Sequence, residues 1–458
     1  AILIGAADRR GREGVSWCGQ QQAGAGQNQE KDDMRKLATS SGLAALQAEE
    51  NLVIDRLENG MRVIYRQTAR PVSHCGLIIP AGTRDELAAC GEEGAAHFIE
   101  HMLFKGTKKR RSFHVLNRLD SVGGEFNAYT TKEETWLHAS FLSEHLERAV
   151  ELIADIGFEA TFPEGELAKE RVVILDELHA YLDQPGDAIF DDFEAKIFAG
   201  HAMAGNILGT PESVKAMTRE SLLGFVCRLY NPSHMVFSVV SDRPWRQVKR
   251  LLDKHLGTRR GSTMPRPERQ AVEPLPAFDE RESKNLHQAH HLMGTLVPGA
   301  DHPDRLGLSL LANYLGGPTM NNRLSLSVRE RHGLAYHVEC SYTPYTDVGL
   351  FSVYFGTDEQ SRGKAERLVM KELKAAREQK LGTRALHDLK RQVTGHIALS
   401  QDSGGSLMSG LGKSLLLYDR VESLQTLFAA IEAVKAEDLL RLANEHLTTE
   451  SISHLVYT

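Results

Sequence analysis

The chain has 458 residues, 41% of them hydrophobic and 25% charged, with a formal net charge of −7. That much apolar side chain can build sizeable cores, so chain-wide disorder is excluded, and 39 Gly with 15 Pro in no period exclude collagen-like and proline-rich classes. An acidic balance without a basic face gives no footing on a phosphate backbone, so no nucleic-acid partner is expected, and no apolar run approaches the roughly 20 residues of a membrane span.

Residues 1–49 are rich in Gln and Gly (QQQAGAGQNQ) and show little periodicity. They read as a disordered or non-native extension, with Met34 as a candidate start. LVIDRL and MRVIYR about Glu58-Asn59-Gly60 then predict a hairpin, since Asn-Gly suits a tight turn. CGLIIPAG reads as a strand, GAAHFIEHMLFKG and SFHVLNRLDSVGG as helices, EFNAYTT and TWLHASF as strands. With Ser143 as N-cap, an amphipathic helix lines Leu146, Ala149, Val150, Ile153 and Ile156 along one face. LAKERVVILDELHAYL is a further helical stretch.

From Gly257 the segment GTRRGSTMPRPERQAVEPLP breaks the periodicity. Beyond it the order recurs. LGLSLLANYLGG and MNNRLSLSVRERHG read as helices, HVECSYT and GLFSVYFGT as strands, and SRGKAERLVMKELKAARE as the amphipathic helix. The halves also close alike, in a segment starting at Val214 and another starting at Ile431. Duplication is the reading this supports. The expected fold is α+β with two homologous domains, each a largely antiparallel sheet with helices packed on one face. The divisions are 1–49 for the extension, 50–256 for the first domain, 257–279 for a linker and 280–458 for the second domain.

The five cysteines are scattered and form no CxxC pair, which indicates neither a disulfide framework nor a thiolate zinc site and favours a reducing compartment. The chemistry lies in His97-Phe98-Ile99-Glu100-His101. In a helix, positions i and i+4 project from one face, so both imidazoles can bind one metal while Glu100 reaches a water beside it. In a chain with 20 histidines the pentapeptide alone is weak, but its apolar surroundings (GAA before, MLFKGT after) make two unpaired histidines and a carboxylate costly without a metal. Zinc held by two histidines needs a third protein ligand. Glu177 is the candidate, and Glu170, two turns earlier on the same face, is placed to orient a ligand histidine by accepting its other N–H. For either glutamate the alternative is a solvated helix charge.

With these residues the chain resembles the inverzincin metallopeptidases, also called the pitrilysin or insulinase family (M16). Within it the likeness is to mitochondrial processing peptidase β-like proteins and their bacterial homologues. The resemblance spans roughly residues 50–458 and includes HFIEH, the E-x6-E pair Glu170 and Glu177, GGEFNAYTTKEET and GHAMAGNILGTPESV. It implies a zinc metalloendopeptidase with one Zn²⁺ per chain on His97, His101 and Glu177, and Glu100 as general base. It implies that the strand Phe126, Asn127, Ala128, Tyr129 holds an extended peptide by strand addition; the alternative is an ordinary core strand. It further implies that Arg329 and Tyr336, in RERHGLAY, stabilise the oxyanion; the alternative is a helix-end arginine and a packed tyrosine.

The resemblance makes the second domain metal-free, because LSLLANYLGG offers no His or Glu. It also implies a clamshell of two chains. One chain carries both residue sets, so a homodimer is expected whose chamber admits unstructured peptides or presequences. A heterodimer with a related chain and a non-catalytic assembly subunit are the rival readings. The bacterial cytoplasm is the expected location, with the mitochondrial matrix as the alternative. Three side features are left with two readings each. The acidic stretch Asp187–Glu194 selects basic substrates or is a solvated helix face. His287, His290 and His291 form a second site or are solvent-exposed or hydrogen-bonded. The runs Lys108–Arg111 and Arg259-Arg260 are basic patches or solvated loops.

Overall fold

The structure is a computed structural model that describes residues 51–260 and 265–458; the expected extension over 1–49 lies outside them. The first half runs β1 (Leu52–Arg56), β2 (Arg62–Gln67), β3 (Val72–Ile79), α1 (Ala95–Leu103), α2 (Ser112–Asp120), β4 (Glu125–Thr130) and β5 (Thr135–Leu142). It continues with α3 (Leu146–Glu159), α4 (Glu164–Leu182), α5 (Pro185–Ile197), α6 (Pro211–Ala216), α7 (Arg219–Leu229), β6 (Val236–Ser241) and α8 (Trp245–Leu252). After the connector come β7 (Asp279–Glu282), β8 (Ala289–Pro298), α9 (Arg305–Gly316), a wide turn over Ser325–Glu330, β9 (Ala335–Pro344) and β10 (Val348–Thr357). The chain ends with α10 (Glu359–Glu378), α11 (Thr383–Ser400), α12 (Gly404–Tyr418), α13 (Leu424–Ala433), α14 (Ala436–His446) and β11 (Ser453–Tyr457). Among the described residues no helix is long and apolar enough to cross a membrane.

The Asn-Gly turn closes β1 on β2 as its composition predicts, with Gly60 at φ +87°. Six strands form one sheet in the order β1-β2-β6-β3-β5-β4, and five form another in the order β7-β11-β8-β10-β9. Among the described residues only β2/β6 and β7/β11 are parallel pairs. The two sheets repeat one pattern: β3-β5-β4 in the first corresponds to β8-β10-β9 in the second, with β6 and β11 as the closing strands. This is the two-domain α+β duplication expected from the sequence.

Alternation along each strand divides its side chains between two faces. On the first sheet Val63, Tyr65, Leu77, Ile79 and Leu137 join the core built by α1, α3 and α7. The intervening Ile64, Ile78, Trp136, Val236 and Val240 meet Met408, Leu411 and Leu415 of α12, a helix from the other half. The second sheet mirrors this. Met293, Val353 and Phe355 face α9 and α10, while Leu292, Leu350, Tyr354 and Leu455 meet Ala188, Ile189, Phe193 and Ile197 of α5. Each half thus covers one face of its sheet with its own helices, and a helix from its counterpart covers the other face. Glycines permit the close approach: a Cβ on Gly412 would lie 2.4 Å from Ile78 Cδ1, and one on Gly294 would lie 3.2 Å from the Phe193 ring.

MNNRLSLSVRERHG is helical over 323–330 as expected, ending in the wide π-helical winding of Ser325–Glu330. One local expectation changes. Ser143 is not an N-cap; its buried hydroxyl bonds Ser73 Oγ and Pro71 O, tying the end of β5 to β3, and α3 starts after a short 3-10 turn.

Candidate metal centre

Helix α1 is buried almost throughout, including His97 at 0% and Glu100 at 8% exposure. Its first turn needs a left-handed residue, supplied by Gly94 at φ +82°, where a Cβ would lie 2.8 Å from Gly209 Cα. The Glu86 carboxylate accepts from Gly94 N (2.9 Å) and Ala96 N (3.0 Å), satisfying N–H groups that the helix leaves open. Burial pushes that carboxyl up to about 8 against the pull of the two donors.

Helix α4 packs across α1 and presents Glu177 and Glu170, two turns apart, from one face. Glu177 Oε2 lies 3.6 Å from His97 Nε2 and 3.4 Å from His101 Nε2. The three ligand atoms all fall within 4.8 Å of one another, the one such group of His, Cys, Asp or Glu among the described residues. A tetrahedral ion with ligands at about 2.0–2.1 Å separates neighbouring donors by about 3.3 Å, so this carboxylate and these imidazoles fit zinc by both spacing and donor chemistry. Glu170 Oε2 stands 3.1 Å from His101 Nδ1, and its other oxygen pairs with Lys105 Nζ at 2.7 Å. Burial opposes a charge on His101, but the hydrogen bonds to Glu177 and Glu170 and the Glu100 charge outweigh it and raise the imidazole above its ordinary value.

Strand β4 borders this centre and is an edge strand, paired in the sheet only with β5. Phe126 and Ala128 pack on the α1 side, and Phe126 meets Phe104, just past α1, with ring centroids 5.2 Å apart. Asn127 is exposed, and Tyr129 stacks on Trp136 at 5.6 Å. The last β4 residue, Thr130, donates to Glu100 Oε2 at 2.7 Å. The sequence reading missed Thr130, since a threonine closing a strand carries no distinguishing signal.

Arg329 and Tyr336 come together elsewhere: the guanidinium sits 5.5 Å from the Tyr336 ring, and Tyr336 is 84% exposed. The tyrosine is therefore not the packed residue its neutral reading expected. In the second half α9 packs on α11 as α1 packs on α4, but Ser309, Ala312 and Asn313 occupy it, and Asn313 Nδ2 merely bonds Ser309 O at 2.9 Å.

The side features also resolve. Asp191 accepts from Asn206 at 3.1 Å, Tyr345 donates to Glu194 at 2.6 Å and Tyr457 to Asp192, so these three half-buried acids tie α5 to its surroundings. His290 pairs with the Tyr354 hydroxyl (2.7 Å) and His291 with His454 (3.2 Å); burial first, then His454 and Arg362, pushes His291 down to about 3. Arg110 bonds Glu151 and Asp155, and Lys108 pairs with Glu159, so that basic run is anchored at both positions.

Residues 62–211 match the family model described as insulinase, peptidase family M16, and residues 216–393 match the one described as the peptidase M16 inactive domain. A protein of Mycobacterium leprae named as an uncharacterized zinc protease is 33% identical, over 85% of this chain and 88% of its own length. A Bacillus subtilis protein named as the uncharacterized zinc protease YmxG is 31% identical, over 86% of this chain and 95% of its own length. Among solved structures, a protease from Helicobacter pylori superposes with a TM-score of 0.82 at 20% identity, covering 89% of this chain and 99% of that one. A structure from Pseudomonas fluorescens described as a peptidase M16 inactive domain gives 0.79 at 21% identity, covering 89% of this chain and 97% of the other. These two likenesses concern the fold.

Proposed function

Since the chain belongs to the insulinase (M16) family of peptidases, we propose that it is a zinc-dependent metalloendopeptidase acting on unstructured peptides. The observation that carries this is the meeting of His97, His101 and Glu177 beside Glu100, on two helices that the sequence separates widely. His97, His101 and Glu177 would hold one Zn²⁺ per chain, with Glu170 fixing the His101 ring through Nδ1. Zinc in such a set supplies Lewis-acid polarisation and lowers the pKa of water toward about 7.

The rest is done by the chain itself. Glu100 accepts the proton of the attacking water and passes it to the leaving amine. The peptide lies extended along β4, where main-chain hydrogen bonds from Phe126 to Tyr129 accept any sequence and the Phe104/Phe126 wall meets its side chains. Arg329 and Tyr336 supply a cation and a phenolic donor for the oxyanion. Their exposure suits a role in a second copy's centre, which makes the working unit a homodimer with shared sites.

The test is a single preparation assayed for zinc content and for cleavage of an unstructured fluorogenic peptide. A chelator should abolish cleavage, and Glu100→Gln should lose at least about a hundredfold in kcat while keeping its metal. A wild type that takes up no zinc, or a Glu100→Gln enzyme that cleaves normally, would sink the proposal.

A further inference from the structure

The turn joining β4 to β5, Thr131 to Glu134, carries three charged residues, Lys132-Glu133-Glu134, that sequence composition would put in solvent, yet they are 3%, 5% and 3% exposed. Every one is engaged. Lys132 Nζ bonds Gly205 O at 2.5 Å and lies 3.4 Å from Glu194. Glu133 takes Arg84 at 2.8 Å and Arg269 of the connector at 3.2 Å, and it accepts from both N and Oγ1 of Thr346 at 2.9 Å, in the β9–β10 turn of the second half. Glu134 accepts from Trp136 Nε1 at 2.8 Å and pairs with Lys413 of α12 at 3.1 Å. Thr131 closes the turn on itself, its Oγ1 accepting from Glu134 N at 3.0 Å. Charges buried this completely keep their geometry only when all are satisfied, so the turn is among the most fixed points of the molecule.

The residue immediately before this turn is Thr130, whose hydroxyl donates to Glu100 across 2.7 Å with both groups buried. We infer that Thr130 is a positioning residue for Glu100, and that the turn Lys132-Glu133-Glu134, clamped by the second half and the connector, sets where Thr130 stands. The hydroxyl orients the carboxylate plane and keeps one oxygen an acceptor, as a group that must take a proton requires. The strand proposed to receive the peptide thus also holds the proposed base, Glu100 of α1, through the hydroxyl at its end. This rests on the reading of Glu100 as the base.

Thr130→Val removes the hydroxyl at nearly constant shape, and Thr130→Ser keeps it. With full zinc and unstructured peptide, Thr130→Val should lower kcat by about tenfold or more with KM within about twofold, while Thr130→Ser stays within about threefold of wild type. Crystal structures of the metal-free proteins should show the Glu100 carboxylate displaced in Thr130→Val and in place in Thr130→Ser. An undiminished kcat with an unmoved carboxylate in Thr130→Val overturns the inference, as does an equal loss in both variants accompanied by lost zinc. A wild type that binds zinc but cleaves no peptide overturns the proposed function instead, and the carboxylate positions alone then decide the role of Thr130.

Discussion

The Glu170 carboxylate divides its two oxygens between His101 Nδ1 and Lys105 Nζ, at 3.1 and 2.7 Å. It would never touch the ion, yet it fixes the tautomer of one ligand, leaving Nε2 free to donate its lone pair. Glu170→Gln removes the charge that holds both partners and should weaken zinc binding by about 10–100-fold, measured by competition with a chromophoric chelator. Unchanged affinity would reduce Glu170 to a helix-packing residue. At this scale the proposed ligands were readable in the sequence, because helix periodicity converts HFIEH into a face and E-x6-E into a second one. Thr130 was not readable: its significance arises from a contact between residues 30 positions apart, formed by a strand crossing a helix end.

Among the elements, α5 shows the limit of pattern reading most clearly. Its apolar residues Ile189, Phe193 and Ile197 recur at helical spacing, which announces a buried face but not which sheet it will cover. The acids on its remaining surface suggest solvent or substrate, whereas they receive Tyr345, Tyr457 and Asn206. The reason is that α5 leaves its own half and packs on the second sheet, whose strands begin more than 80 residues downstream. Phe193 is fully buried against Phe278, with ring centroids 5.2 Å apart, and against Gly294. Phe193→Ala should cost about 3–5 kcal/mol in chemical denaturation, and a loss below about 1 kcal/mol would mean that the helix is only loosely seated.

For the whole molecule, the repeat was legible because both halves spell the same order of elements, and the sheets follow it in β6-β3-β5-β4 and β11-β8-β10-β9. What the repeat could not announce is where Arg329 and Tyr336 act. They stand together on the surface, Tyr336 at 84% exposure. If they complete the centre of a second copy, mixing inactive Glu100→Gln with weakened Arg329→Ala protomers should restore about a quarter of the sites, since random pairing gives hybrids with one intact site each. Equilibrated mixtures that stay at the sum of the two parents would confine each centre to its own chain.

The crossing of α5 and α12 has a mechanical consequence. Rotating one half against the other would pull Ile189 and Phe193 off the second sheet, and Leu411 and Leu415 off the first, exposing both apolar faces together. Neither sheet is a finished body when its counterpart is taken away, so severing the connector should leave the two pieces clasped. A chain bolted across itself in this way resists hinging between its halves. In the proposed dimer, admitting a peptide then means parting two chains, and the jaw that opens is the one between copies.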